Sequence, residues 1–440
     1  MKKERTKQYA EKLSTLIQVE TVSSKMQADK SAFYHFQDVL RAQFPHIFSV
    51  CTFEDFNGSF LMRWQGNNPE NQPFLLMNHQ DVVEASGEWK YPPFSGTIAD
   101  GKVWGRGTLD TKGGLCCMLQ AADELAAEGY VPARDIYFLS TCTEECDGVG
   151  AETISHALQE RGIRFDMVLD EGGMILDEPI GGAKGAYAMV GIGEKGCVDL
   201  KFIACSEGGH ASTPGKNTPL VRLGKFMAAV EKKNLFQAKM SPTVCEMFKR
   251  LSLSMRGGMR FLLGNARLFR PLLVKIMPVV SNTANAMLKT TVAFTMSGGS
   301  FGANVLPQEA WVIANMRYSH HQGGKNSIDA IKKLADKYGI QTEILDPGYE
   351  SSLSSYKSEA FQRIERAVEK VFPKVRTSPY VMTGASDCRY MGRVSENCLR
   401  FTPLFINGEQ LDSIHGLNEN VDVATLAPAV DFYRCILMEE

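Results

Sequence analysis

The sequence predicts an α/β sandwich on a largely parallel sheet, with a second, α+β domain inserted into it. Between Phe74 and Gly173, short apolar runs alternate with proline-free helical stretches, the pattern of strand, crossover helix and parallel strand. Near Gly193 the texture changes to runs in which apolar and polar residues alternate, as in an antiparallel sheet with one covered face. The 440 residues exceed what one ordinary core holds, so roughly two or three domains are expected. Residues 1–192 and 348–440 read as two segments of the α/β domain, and 193–347 as the insert.

Apolar positions at helical spacing predict an opening helix over Glu4 to Val19 and a second over Ser31 to Phe44. Phe74 to Met77 reads as a buried strand running into His79 and Asp81, a metal-ligand type with a carboxylate two residues on. The stretch WKYPPFSG and then GKVWGRGTLD lead to Asp110, with glycines that permit sharp turns around it. Thr111 to Glu128, rich in Ala and Leu, is a helix. DIYFLST is a buried strand opening into CTEECDGVGA, which carries Glu144 and Glu145; after a helix over Ala151 to Arg161, DMVLDEGG closes on Asp170 and Glu171.

In the insert, KGCVDLKFIACSEGG, TTVAFTMSGG, EAWVIANMRYS and QTEILDPG read as strands, with helices over Pro219 to Lys232 and Ser327 to Tyr338. A helix over Ser358 to Phe372, the strand ENCLRFTPLF, the loop NGEQLDSIHGLNEN with His415 and a helix ending at Met438 complete the chain.

A composition of 44% hydrophobic and 22% charged residues is that of a soluble globular protein, and a formal net charge of -2 offers no global attraction for nucleic acid or anionic membrane. The 11 cysteines include no Cys-X-X-Cys, and Cys116, Cys117, Cys197 and Cys435 lie in apolar runs, as reduced core thiols do. With no signal-like apolar segment near the start and no run long enough to span a bilayer, a cytoplasmic location is expected. Met247 to Gln308 carries eight Lys or Arg and no Asp or Glu. It reads either as a basic lid for anionic or lipid-like substrates or a membrane-facing surface, or as an amphipathic helical pair whose Arg and Lys rows are solvated or meet a partner subunit; the second reading is preferred, and membrane contact is not expected.

His79 with Asp81, Asp110, Glu144 with Glu145, Asp170 with Glu171, and His415 all follow an apolar run or a glycine-rich turn. In an open α/β sheet the loops at the carboxyl ends of the strands converge on one crevice. Two histidines and at least three carboxylates suit zinc. Five ligand positions exceed one tetrahedral ion, so a pair of ions about 3.5–4 Å apart, bridged by a carboxylate and a water, is expected. A carboxylate off the metal must then take the water's proton and pass it to the leaving nitrogen, and the Glu144-Glu145 doublet allows that division.

The segments LLMNHQDVV, WGRGTLDTKGG, TCTEECDGVGA, VLDEGG, GGHAS, NVLPQEAWVIANMRY, TGASD and SIHGLNE resemble, in this order, the motifs of the dinuclear-zinc metallopeptidase and amidohydrolase family of aminoacylase, glutamate carboxypeptidase, carnosinase and succinyl-diaminopimelate desuccinylase. NARLFRPLLVKIM and NAMLKTT look most like its carboxypeptidase S and N-acyl-aromatic-amino-acid hydrolase branch. The resemblance implies that Asp110 bridges two Zn2+, with Co2+ or Mn2+ as possible replacements. His79 and Asp170 would hold one ion, and Glu145 and His415 the other. Glu144 would be the general base and then acid, and Asp81 the partner of His79; the family pattern selects Asp170 over Glu171, which spacing leaves open.

The insert is implied to be a lid and dimerisation domain of a homodimer, from which His210 reaches the neighbouring subunit's site to stabilise an oxyanion. Asn304 and Arg317 match positions that grip a substrate carboxylate, and Thr383, Gly384 and Ser386 match a loop lining the pocket. Two departures stand out: Asn78 replaces a usually small residue, and VVEASGEW lacks a proline common after Asp-Val-Val. The implied function is hydrolysis of an amide or peptide bond next to a free carboxylate, by a carboxypeptidase, dipeptidase or N-acyl-amino-acid amidohydrolase, with no nucleic-acid partner. The rivals are a non-catalytic peptide or metabolite binder on the same fold, and an aminopeptidase that would recognise a free amine instead.

Overall fold

The computed structural model describes residues 2–24 and 29–439. It divides into two compact units: Met1–Gly193 with Glu246–Gly264 and Ser352–Glu440, and Glu194–Cys245 with Asn265–Ser351. The sequence reading gave 246–264 to the insert, whereas this stretch belongs with the first unit. The reason is local pairing. Arg250 meets Glu246 and Glu365 and the Thr377 carbonyl, and the Tyr187 hydroxyl meets Ser254 Oγ at 2.6 Å.

The first unit is built on a mixed sheet in the order Cys51–Phe56, Ser59–Trp64, Ile136–Ser140, Phe74–Met77, Met167–Asp170, Cys398–Arg400, Ala186–Glu194, Ile175–Asp177, Phe405–Ile406. Its centre, from Ile136–Ser140 to Cys398–Arg400, is parallel, as the alternation predicts. The flanks carry antiparallel pairs. One of these, the hairpin of Cys51–Phe56 and Ser59–Trp64, escaped the sequence reading although it turns on Asn57-Gly58, both at positive φ (52° and 92°). Asn-Gly is the dipeptide that such a two-residue turn favours.

The central strands are apolar throughout because the sheet is covered on both faces. Phe74, Leu76, Phe138 and Leu169 join one core, and Leu75, Met77, Leu139 and Val168 join another. The helix Lys112–Ala127 lies in the first of these cores against the closing helix Val423–Met438, which is why it is buried almost all round.

The second unit is a four-stranded antiparallel sheet in the order Thr291–Gly298, Glu309–Tyr318, Gly196–Cys205, Gln341–Tyr349. Alternate residues of Glu309–Tyr318 are buried, and Val312, Ala314 and Met316 pack with Phe226 of Pro219–Lys232 and Ile331 of Gly324–Asp336. Among the described residues, no helix is long and apolar enough to cross a membrane.

Candidate active site

Three neighbouring parallel strands end at one edge of the sheet: Leu76 lies level with Phe138 on one side and with Leu169 on the other. Chain leaving those ends supplies His79, the Glu144-Glu145 pair and Asp170, while Asp110 comes from the loop before Lys112–Ala127 and His415 from the turn after Gly408–Ser413. His79 Nε2 is 3.0 Å from Asp110 Oδ1. His415 Nε2 is 3.0 Å from Asp110 Oδ2 and 3.1 Å from Glu145 Oε2. One carboxylate therefore faces both imidazoles, one oxygen to each. Ligand-type atoms of His79, Asp110 and Glu145 all lie within 4.8 Å of one another.

A buried glutamate that the sequence reading did not single out shapes this corner. Glu419 accepts hydrogen bonds from the main-chain N–H groups of Gly107 (3.1 Å), Leu109 (2.8 Å) and Asp110 (3.2 Å) and from Arg106 Nη1 (2.7 Å). Arg106 Nη2 in turn donates to the Gly416 carbonyl at 2.8 Å. The loop bearing Asp110 and the turn bearing His415 are thereby tied together, and His415 is held at φ 59°, in the left-handed region that a non-glycine residue rarely adopts. Gly107 is at φ +89°, and a Cβ there would come within 2.9 Å of Val82. Arg106 and Glu419 sit inside the quoted motifs, but nothing in the spacing pairs residues 313 apart.

Asn78, the departure from the family pattern, accepts from Thr111 Oγ1 at 3.0 Å. Gly114 makes room for it: a Cβ at that glycine would lie 2.4 Å from Asn78 Oδ1. The peptide Asp110-Thr111 is cis.

Asp81 differs in part from its expected use. His79 Nδ1 lies 2.9 Å from the Asp81 carbonyl and 3.5 Å from the Asp81 carboxylate, so the main chain is the nearer acceptor. That bond orients the ring so that Nε2 faces Asp110, where it donates to the carboxylate and where, with a metal bound, its lone pair would be the ligand. The Asp81 carboxylate instead accepts from Ser23 Oγ (2.6 Å) and from the main-chain N–H of Glu144 (3.3 Å) and Glu145 (3.0 Å). It holds the doublet in place.

The electrostatics are those of acids crowded out of water. Burial pushes Glu144, Glu145, Asp170 and Glu171 up from the usual carboxylate range. Burial alone would raise Asp110 too, but hydrogen bonds from His415 and His79 hold it well below that range. His79 would be lowered by burial, and its bonds to Asp110 and Asp81 outweigh this and raise it well above its ordinary value. Bonds to Asp110 and Glu145 raise His415 to about 10. Glu145 Oε1 is buried without a hydrogen-bond partner. The buried acids outnumber the cations set among them, His79, His415, Arg389 and Arg400, and the imidazole nitrogens and carboxylate oxygens form a set that suits zinc, so the residues fit a metal.

Asp170 Oδ1 and Oδ2 accept from the main-chain N–H groups of Glu171 (2.9 Å) and Cys388 (2.8 Å). Glu144 Oε1 is 3.3 Å from Arg389 Nη1. Beside it Asp387 accepts from Thr141 Oγ1 at 2.5 Å and is pushed up to about 7 by burial. Neither Arg389 nor Asp387 was singled out in the sequence, although Asp387 ends the TGASD motif.

His210, Asn304 and Arg317 belong to the second unit. His210 pairs with Val305 across a short ladder, and the next residue's N–H donates to the Asn304 carbonyl at 3.0 Å, so these two residues are neighbours there. The Ser212 N–H donates to His210 Nδ1 at 3.1 Å, which leaves Nε2 as the proton-bearing nitrogen. Arg317 Nε donates to Asn315 Oδ1 at 2.9 Å. In the first unit Ser386 is buried, with its carbonyl accepting from Arg389 Nη1 at 2.9 Å. Thr383 and Gly384 are exposed, and a Cβ at Gly384 would meet nothing within 4 Å.

Comparison with known proteins adds the lineage. The chain is 32% identical over 433 residues to the N-fatty-acyl-amino acid synthase/hydrolase PM20D1 of Homo sapiens, covering 96% of this chain and 86% of that protein. It is 29% identical to carboxypeptidase S of Saccharomyces cerevisiae, covering 96% and 82%. The structure of the M20 family metallo-carboxypeptidase Sso-CP2 from Sulfolobus solfataricus matches with a TM-score of 0.71 at 16% identity over 98% of each chain, a likeness of fold. The model of peptidase family M20/M25/M40 matches residues 75–439. A match of that extent makes this chain a member of peptidase family M20/M25/M40 and a zinc-dependent hydrolase.

Proposed function

We propose that the enzyme uses two zinc ions to hydrolyse an amide or peptide bond adjacent to a free carboxylate, in an N-acyl amino acid or a small peptide. Asp110 would be the ligand shared by both ions, with His79 and Asp170 holding one and Glu145 and His415 the other. The observation that carries this reading is the division of the Asp110 oxygens between His79 and His415, at 3.0 Å each. Such separations are close to the distance of about 3.3 Å between two ligand atoms on one tetrahedral zinc.

When bound, zinc polarises the scissile carbonyl and lowers the pKa of a water. Glu144, fixed through its main-chain N–H by Asp81, takes that water's proton and delivers it to the leaving nitrogen. His210, with its donor at Nε2, stabilises the oxyanion from the partner subunit of a homodimer formed through the second unit. Arg317, with Asn304, receives the substrate carboxylate, and Gly384 and Ser386 line the pocket. The 11 cysteines are all free, which fits a reducing, cytoplasmic setting.

Glu144→Gln is the direct test: zinc content is expected to stay at the wild-type level while turnover falls about 10²–10⁴-fold. Retained turnover would remove the base. Two further measurements separate the rivals. Undiminished cleavage of a dipeptide with a free amine and an esterified carboxylate would speak against the Arg317 role and favour an aminopeptidase, and no turnover of any N-acyl amino acid or dipeptide by zinc-loaded protein would favour a binding protein.

A further inference from the structure

The second unit contains a helix, Arg270–Val280, that is apolar on two sides. Leu273 is buried and anchors it. Leu272, Ile276 and Val279 point outward at helical spacing, continuing from Leu268 in the preceding turn; Leu268 is 73% and Val279 85% exposed. A surface helix ordinarily turns charged and polar residues to water, and this one does the reverse.

The flanks of the stripe are basic. Arg267 and Lys275 are exposed beside it, and no acid occurs between Met247 and Gln308. Arg270 is not part of this set, because its Nη2 lies 3.8 Å from Cys245 Sγ. In the first unit the helix Gly257–Gly264 has the same character by itself, with Met259, Phe261 and Arg260 exposed. An amphipathic helical pair whose cations are solvated or meet a partner subunit is the reading preferred from the sequence; Arg267 and Lys275 are exposed as it expects, but so are Leu272, Ile276 and Val279, which an ordinary amphipathic helix would bury.

We propose that Arg270–Val280 docks the enzyme on an anionic phospholipid surface, with Leu272, Ile276 and Val279 entering the headgroup and acyl boundary and Arg267 and Lys275 meeting lipid phosphates. Charge complementarity selects lipid over a second copy of this chain. A symmetric contact would set Arg267 and Lys275 of one copy against those of the other, whereas an anionic bilayer answers both the apolar stripe and its cations. The hydrolase would then work at the interface where amphiphilic acyl substrates collect.

The test is flotation of the zinc-loaded full chain with phosphatidylcholine vesicles, with and without phosphatidylserine, read without turnover so that it stands apart from the proposed reaction. Wild type is expected to float with phosphatidylserine vesicles and to release as salt is raised. The double variant Leu272→Ser/Ile276→Ser is expected to lose affinity by about tenfold or more, and Arg267→Glu/Lys275→Glu to lose the preference for phosphatidylserine. Hydrolysis of a soluble short-acyl substrate should be unchanged in both, which checks folding. Failure of folded wild type to float, or undiminished flotation of both variants, overturns the proposal. So does a wild-type dimer in sedimentation that Leu272→Ser/Ile276→Ser converts to monomer, because a second copy would then cover the helix.

Discussion

Asp170 and Glu171 are adjacent, buried and acidic, and they differ in what surrounds their oxygens. Asp170 has each oxygen oriented by a main-chain amide, as a ligand held for use would be. Glu171 is raised well above the ordinary range by burial and then, more than by any other charge, by Asp110. Removing the right one should be read in metal content. Asp170→Ala is expected to lower zinc from about two to about one per chain and to reduce turnover by at least about 10²-fold, with Glu171→Gln keeping both metals. The opposite pattern would move the ligand to Glu171. In the sequence the two were equivalent, since spacing cannot say which way a side chain points off the end of a strand.

At the scale of elements, the catalytic corner depends on a contact between two loops. Glu419 and Arg106 form a fully buried pair at 2.7 Å, and between them they fix the chain around Asp110 and His415. Removing one partner strands the other charge in the interior. Glu419→Ala is expected to destabilise the first unit by about 3–5 kcal/mol and to weaken zinc binding, as measured by denaturant titration and metal analysis. The double variant Glu419→Ala/Arg106→Met should cost less than the sum of the single ones, because each already breaks the same contact. Additive losses would mean that the two residues act separately. The strands and helices around these loops were legible from apolar runs and their periods. The stitch between the loops was not, because it is a long-range pairing of side chains.

At the scale of the whole molecule, the two units have separate cores, one pair around the mixed sheet and one under the antiparallel sheet. They should therefore respond to different perturbations. A chelator is expected to lower the melting transition of the first unit, which holds the crowded acids, and to leave that of the second in place. The second unit has its own titration in Lys195, whose amine donates to the Lys289 carbonyl and Thr291 Oγ1 at 3.0 Å each and is lowered to about 7 by burial. Between about pH 7 and the unfolded lysine value of about 10.4, the unfolded chain carries the extra proton, so stability rises with pH at up to about 1.4 kcal/mol per unit. Lys195→Met should flatten that slope in denaturation measured at several pH values; an unchanged slope would assign it to other groups.

Periodicity and residue order determined the α/β class, the central parallel strands and the group of His, Asp and Glu positions at strand and turn ends, within which the family resemblance, not spacing, chose Asp170 over Glu171. These are local properties, since an apolar run of strand length followed by His, Glu or Asp is visible in a single window. The antiparallel flanks, the return of 246–264 to the first unit, the Glu419 clamp, the Asp81 carbonyl behind His79 and the outward-facing stripe on Arg270–Val280 were decided only by tertiary structure. Each depends on which distant groups share a buried space or remain in water, and burial and pairing are set by the whole packed chain.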